Sequence, residues 1–358
     1  MARSAWRSLL APALLLAAQA PATDFAAVLP SRALAFPRDR GSHPAFRTEW
    51  WYVTGWLSGD ADESLGFQVT FFRSRPAAIA EANPSAFTPR QILIAHAALS
   101  DPRRGSLWHD QRVRRAGLGL ADAATTDTDL LMEGWTLQRA GEGYRTHVEG
   151  TDFSFDLTLR ETQPAMLNGA EGYSRKGPGP DAASYYYSVP HLAVTGTVRR
   201  AGHAAPVRGE AWLDHEWSSQ YLDAEAAGWE WAGLNLDDGR ALMAFRIRGR
   251  DGSNRWASAS LRSATGELAI FAPTQVQWRA LRRWRSPRTA VTYPVAWQLQ
   301  VGAETFELQP LLDDQENDAR LSSGTLYWEG AVRVGAAGRH EGRGYLELTG
   351  YGEPLVLR

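Results

Sequence analysis

In Leu65-Gly-Phe-Gln-Val-Thr-Phe71, apolar side chains fall at every second position, and the alternation returns in Phe153-Ser-Phe-Asp-Leu-Thr-Leu159. Period two marks a strand with one buried face. Glu49-Trp-Trp-Tyr-Val-Thr-Gly-Trp-Leu57 carries rings on both faces, as a strand between two packed surfaces would. Ile92, Ile94, His96 and Ala98 share one face of another strand. More strands are expected near 133–139, 144–149, 255–262, 294–301, 304–309, 325–334 and 343–349. The best helix candidate beyond the N-terminus, 216–227, is short. The chain is therefore expected to be all-β.

The start reads as a secretory signal over residues 1–22. Arg3 and Arg7 supply the positive region, Leu9 to Ala18 a short apolar run, and Ala20-Pro-Ala22 the cleavage site. Residues 23–44, with Pro30, Pro37 and Pro44, read as a loose lead-in. An exported protein, periplasmic or secreted, is expected, with transient membrane contact at most. A net charge of −2 over 358 residues gives no field for nucleic acid. The absence of cysteine excludes disulfides and thiol catalysis. Tryptophan is abundant, 15 against 4 methionines, which suits a ring-lined cavity.

Asp238-Gly239 predicts a two-residue hairpin turn. That register pairs Asp237 with Arg240, Leu234 with Met243 and Trp231 with Arg246, the last as a cation–π contact. It places Glu230 at the end of an apolar face. Residues 163–183, rich in Gly and Pro, form a long loop; its Arg175 and Lys176 read as solvated surface or part of a lid.

Two signatures recur in the same order. Glu49-Trp50 is matched by Glu230-Trp231. Gly196-Thr-Val-Arg199 with Arg208-Gly209 is matched by Gly330-Ala-Val-Arg333 with Arg343-Gly344. An internal repeat of two β domains follows, at 45–220 and 221–358, each with about eight strands, enough to close a barrel.

Chemistry concentrates at the junction. Residues 208–231 hold Trp212, Trp217, Trp229, Trp231, Asp214, Glu216, Glu230 and His215. A carboxyl group among rings can stay protonated and act as a general acid. His215 can relay a proton or orient water; a purely structural hydrogen-bond network at the junction is the alternative. Glu49, mirroring Glu230, can face the same cleft. His96 reads as a satisfied core residue. No Gly-x-Ser-x-Gly elbow or dinucleotide fingerprint is present. His215-Glu216 lacks the second histidine of a zinc helix, so neither metal nor cofactor is expected.

Glu49-Trp-Trp-Tyr-Val-Thr-Gly55, His96-Ala-Ala-Leu-Ser100, Tyr186-Tyr-Ser-Val-Pro190, Gly209-x-x-Trp-Leu-Asp-His-Glu-Trp217 and Gly228-Trp-Glu-Trp231 resemble the carotenoid 1,2-hydratase (hydroxyneurosporene synthase) and AttH-like family. The resemblance implies two lipocalin-like antiparallel β-barrels. It also implies a hydrophobic, isoprenoid or lipid-like ligand between them, with water added across a C=C bond if the chain is an enzyme. His215 and Trp217 match the family's Asp-His-x-Trp motif. Asp214, His215 and Glu230 are the catalytic candidates. Glu49, Trp50, Trp51, His96, Tyr186, Trp217, Trp229 and Trp231 are the ligand-binding ones. Two other readings stay open: a non-catalytic carrier of lipophilic cargo beside an ABC-transporter permease, as the AttH branch implies, and a carbohydrate binder or glycosidase with two carboxylates flanking a bond.

Overall fold

The computed structural model describes residues 25–59, 63–76, 85, 88–336 and 339–355. The expected signal segment, 1–22, lies outside the described residues. No described helix is long and apolar enough to cross a membrane.

The chain is almost entirely antiparallel β, curled into two sheets. The first contains β1 (Thr48–Ser58), β2 (Ser64–Ser74), β3 (Ile92–Asp101), β4 (Ser106–Arg115), β5 (Ala121–Ala123), β6 (Asp129–Met132), β7 (Trp135–Ala140), β8 (Gly143–Glu149), β9 (Phe153–Arg160), β10 (Met166–Leu167), β11 (Tyr173–Arg175), β12 (Ala183–Arg200) and β13 (His203–Gln220). The second contains β14 (Ala226–Leu236), β15 (Ala241–Gly249), β16 (Asn254–Arg262), β17 (Leu268–Phe271), β18 (Val276–Arg285), β19 (Thr292–Val301), β20 (Glu304–Pro310), β21 (Glu316–Ala319), β22 (Thr325–Ala336) and β23 (Arg339–Thr349). One sheet forms a nearly closed lipocalin-like barrel and the other a half-barrel.

The same path is drawn twice. In each sheet the first strand lies between the second and the last: β1 between β2 and β13, β14 between β15 and β23. Glu49 stands opposite Arg73 on β2, and Glu230 opposite Arg246 on β15. The Glu-Trp signature thus marks equivalent positions. The Arg-Gly signature does not. Arg343 pairs with Asn235, whose counterpart Thr54 pairs with Trp212 rather than Arg208.

Three local expectations are corrected. Residues 216–227 form no helix; β13 runs on to Gln220, and a turn leads into β14 at Ala226. The hairpin after β14 is one residue out of the expected register. Trp231 pairs with Phe245, and Glu230 with Arg246. The loop has three residues, because the Leu236 amide bonds to Arg240 across it and Gly239 takes φ 86°. The Asp237 amide instead bonds to Glu341 on the neighbouring chain segment. This shift cancels the Trp231–Arg246 stack, and Arg246 lies 5.4 Å from the Trp297 ring. Finally, the lead-in is packed rather than loose: Leu29 bonds to the Tyr185 hydroxyl, and the Trp51 indole donates to Arg40.

Alternation sorts the rings of the central strands. Trp51, Val53 and Leu57 enter the first barrel's core, whereas Tyr52 and Trp56 join Trp212, Trp231, Phe245 and Tyr345 between the sheets. That ring-rich layer is what joins the two halves.

Candidate functional site

Strand β13 divides the Asp-His-Glu-Trp motif. Asp214 and Glu216 face the layer between the sheets, while His215 and Trp217 point into the first barrel. Successive side chains of a strand must leave on opposite faces. The predicted site is therefore three clusters.

The first lies between the sheets. Asp214, 2% exposed, accepts bonds from Tyr186 Oη (2.7 Å), Ser188 Oγ (2.5 Å) and Trp212 Nε1 (2.7 Å). These donors are themselves held, Tyr186 by the Trp231 indole at 2.9 Å and Ser188 by Asn168 at 2.8 Å. Burial pushes the Asp214 carboxyl up to about 7 against the pull of the three bonds, helped by the Glu216 charge. A carboxylate offers about four lone-pair sites. Three are used, which leaves one to carry a proton. Glu216 meets Lys176 at 2.8 Å and also accepts from Ser184. The Lys176 ammonium is buried against the Phe245 ring at 4.0 Å and the Tyr186 ring at 4.7 Å. Trp229 donates to Glu347 at 2.8 Å. Glu329 stands opposite Glu347 on the adjacent strand. Trp50 packs edge-on to Tyr221, and His96 reaches Tyr327 of the second sheet and Ser322 in the turn before β22. Burial lowers His96 to about 3, so it is neutral.

A cavity of about 370 Å³ opens in the same layer, bounded by Trp56, Trp212, Asn235, Arg343 and Tyr345. Gly55, Gly209, Gly233 and Gly344 form bare backbone along it. The volume is in the range of small-molecule pockets. Trp212 is shared by the cavity wall and the Asp214 cluster.

The second cluster is inside the first barrel. Glu49 accepts from His43 Nδ1 (2.7 Å), His215 Nε2 (2.9 Å) and Arg73 Nε (2.7 Å). His43 continues to Asp39 at 3.0 Å and lies flat on Trp217, with ring centres 3.8 Å apart; His215 stacks on Trp51 at 4.5 Å. Burial acts to raise the Glu49 carboxyl, but Arg73 and the two imidazoles outweigh it and hold Glu49 well below the usual carboxylate range. Burial lowers His215 to about 4. The ligating atoms of His43, Glu49 and His215 lie within 4.8 Å of one another, a grouping able to hold a metal ion. Here both imidazoles are hydrogen-bonded to the same Glu49 oxygen. The third cluster is Glu230 inside the second sheet, fixed by Arg246 (2.7 Å), Arg248 (3.0 Å) and the Tyr351 hydroxyl (2.5 Å). Glu49 and Glu230 do mirror each other, but each faces its own barrel and not a common cleft.

A family model described as AttH-like matches residues 27–351. The chain belongs to the AttH-like family. A protein of Nitrosomonas europaea assigned as AttH is 52% identical, with a TM-score of 0.86 over 91% of this chain and 100% of that one. Kievitone hydratase from Nectria haematococca shares the fold at 15% identity, with a TM-score of 0.70 over 90% and 94% of the two chains. CghA does so at 14% identity, with a TM-score of 0.53 over 93% and 97%. Comparison with curated proteins gave no match.

In this AttH-like chain the structure gathers Asp214, Tyr186, Trp50, Trp229, Trp231 and His96 between the sheets. Glu49, Trp51, His215 and Trp217 lie apart from them in the first barrel, and Glu230 in the second. Sequence reasoning misses Lys176, Glu329, Glu347, Arg73, His43 and Asp39. Lys176 is hidden in a loop that reads as surface, yet β10 and β11 fold that loop onto β12. A signal for Glu347 did exist. With Glu49 aligned on Glu230, the register makes Glu347 the counterpart of Glu216.

Proposed function

We propose that this chain takes a hydrophobic, isoprenoid- or lipid-like molecule into the layer between its sheets and adds water across one of its double bonds. The observation that carries the reading is Asp214: a desolvated carboxyl, poised near neutrality, with its donors fixed and indole rings around it. Such a group can protonate an alkene carbon. The faces of Trp212 and Trp231, with Tyr52 beside Trp231, favour the cation that forms at the other carbon. Water then attacks that carbon and loses a proton. Likeness of fold to a hydratase agrees with this reading, although fold alone does not fix a reaction. Export follows from the basic and apolar start of the sequence and belongs to the same proposal.

The test is incubation of the purified protein with geranylgeraniol in water enriched in heavy oxygen. The expected product is an alcohol with one heavy oxygen incorporated. Asp214→Asn should abolish its formation while retaining binding of the probe. Unchanged turnover in D214N would remove Asp214 from the chemistry. A second reading, carriage without reaction, is favoured by how closed the carboxyl cluster is, with Asp214 2% exposed. It predicts tight binding of the probe with no product.

A further inference from the structure

Apart from Glu210 and Asp237 at the cavity, the described residues place four acidic side chains in the layer between the sheets, two from each half. Asp214 and Glu216 come from β13, Glu329 from β22 and Glu347 from β23. Only the first has a part in the reaction described above. Lys176, the buried cation of this layer, is committed to Glu216.

Glu329 and Glu347 stand directly opposite each other in the β22–β23 ladder. Side chains so placed start from Cβ atoms about 4.5–5.5 Å apart. Glu347 is anchored by the Trp229 indole at 2.8 Å. Glu329 is 3% exposed, and its Oε1 has no hydrogen-bond partner among the described residues. The Tyr52 hydroxyl, brought in by β1, is buried in the same condition. A buried polar atom without a partner costs about 1–3 kcal/mol. Tyr52 and Tyr327 face the Glu329 carboxyl, so the oxygen left without a close bond beside a face-to-face carboxyl pair points to a place where a proton belongs.

We propose that Glu329 and Glu347 hold a single proton between them and form a second acid–base centre on the wall of the cleft supplied by the second half of the chain. This rests on the hydration reading and adds the group that accepts the proton of water. Two adjacent carboxylates, Glu329 buried and Glu347 half-buried, repel, so one proton shared between them is the low-energy state. Burial and the Glu347 charge hold Glu329 well above the usual carboxylate range. Burial, with Asp214 and Glu216, raises Glu347. The groups facing the pair are Tyr52, Tyr221, Tyr327, Tyr345, Asp214 and Glu216.

The step balances. The Asp214 O–H proton passes to one alkene carbon, and the π pair forms that C–H bond. A lone pair of water forms the C–O bond at the other carbon. The released proton goes to the ionised member of the Glu329–Glu347 pair. A proton returned through water from the pair to Asp214 restores both centres.

Infrared pH titration of the intact protein reads the shared proton without any substrate. Asp214→Asn protein should still show a protonated-carboxyl band at neutral pH, and Glu329→Gln or Glu347→Gln in that background should lower the pH at which that band is lost. Absence of the band from D214N would overturn the pair. With geranylgeraniol as probe, Glu347→Gln alone should lower turnover about 100-fold or more while the Asp214 band persists. Wild-type turnover in E347Q would overturn its role as base. A band that persists in D214N together with no product from wild type would sink the hydration reading, and the role of base with it, while leaving the shared proton established. If E347Q does not fold, the D214N titration still decides the pair.

Discussion

Asp214 and His215 are consecutive residues that point to opposite sides of β13, Asp214 into the layer between the sheets and His215 into the first barrel. Acid and imidazole therefore act in separate environments. The Asp214 environment is desolvated and short of cations. His215 sits in a network that already contains Arg73.

This separation makes the pH behaviour of Asp214 specific. Its pKa in the fold, about 7, lies above the ordinary value of 3.8. The folded state therefore binds the proton more tightly, and the stability this gives is complete below about 4 and is lost as pH rises through about 7. Asp214→Asn should flatten stability against pH in that window, measured by denaturant unfolding at several pH values. Hydration by wild type should fall over the same rise in pH, since the acid must be protonated.

Glu49 runs the other way. Its carboxyl is held well below 4.5, so its contribution is present above that value and is lost as pH falls through the depressed one. Arg73→Leu leaves a buried carboxylate without its cation and should cost about 3–5 kcal/mol. Adding Glu49→Gln should recover part of that loss. Urea unfolding of the single and double variants checks both statements.

Glu230 should behave as a structural residue. It is enclosed by Arg246, Arg248 and Tyr351 in the second sheet, on the face away from the cleft. Glu230→Ala is expected to destabilise the fold by about 3–5 kcal/mol through two stranded guanidinium groups. Where folded protein remains, its affinity for geranylgeraniol should equal that of wild type by fluorescence titration.

Gly233 tests the cavity wall. A Cβ there would lie 2.6 Å from the Trp231 ring and 3.0 Å from that of Trp212. Both rings would have to move. Gly233→Ala should cost about 1–3 kcal/mol and weaken ligand binding, with a changed tryptophan emission spectrum in the unliganded protein.

Much of the architecture is legible without coordinates. The alternation of Leu65 to Phe71 and of Phe153 to Leu159 marks β2 and β9, and the rings on both faces of Glu49–Leu57 announce a strand between two packed layers. Equivalence of Glu49 with Glu230 is also legible, because each precedes a tryptophan in a ring-rich strand, and the fold adds the arginine that each meets on the next strand. The hairpin register is less so: Asp238-Gly239 suits two turn lengths, and a hydrogen bond from Asp237 to a distant segment selects one. Lys176 reads as surface because loop composition says nothing of what the loop covers.

The sequence by itself determined the strands, their duplication and the family, since these follow from a local period of two and from motifs that lie within short stretches. Only the tertiary structure decided which groups share an environment. Asp214 meets Tyr186 and Ser188, and Glu216 meets Lys176, across long separations in the chain, while His215 between them is turned away. A strand sends adjacent side chains to opposite faces, which a period of two shows, but a layer between two sheets collects residues from every strand that lines it, and that cannot be read from spacing along the chain.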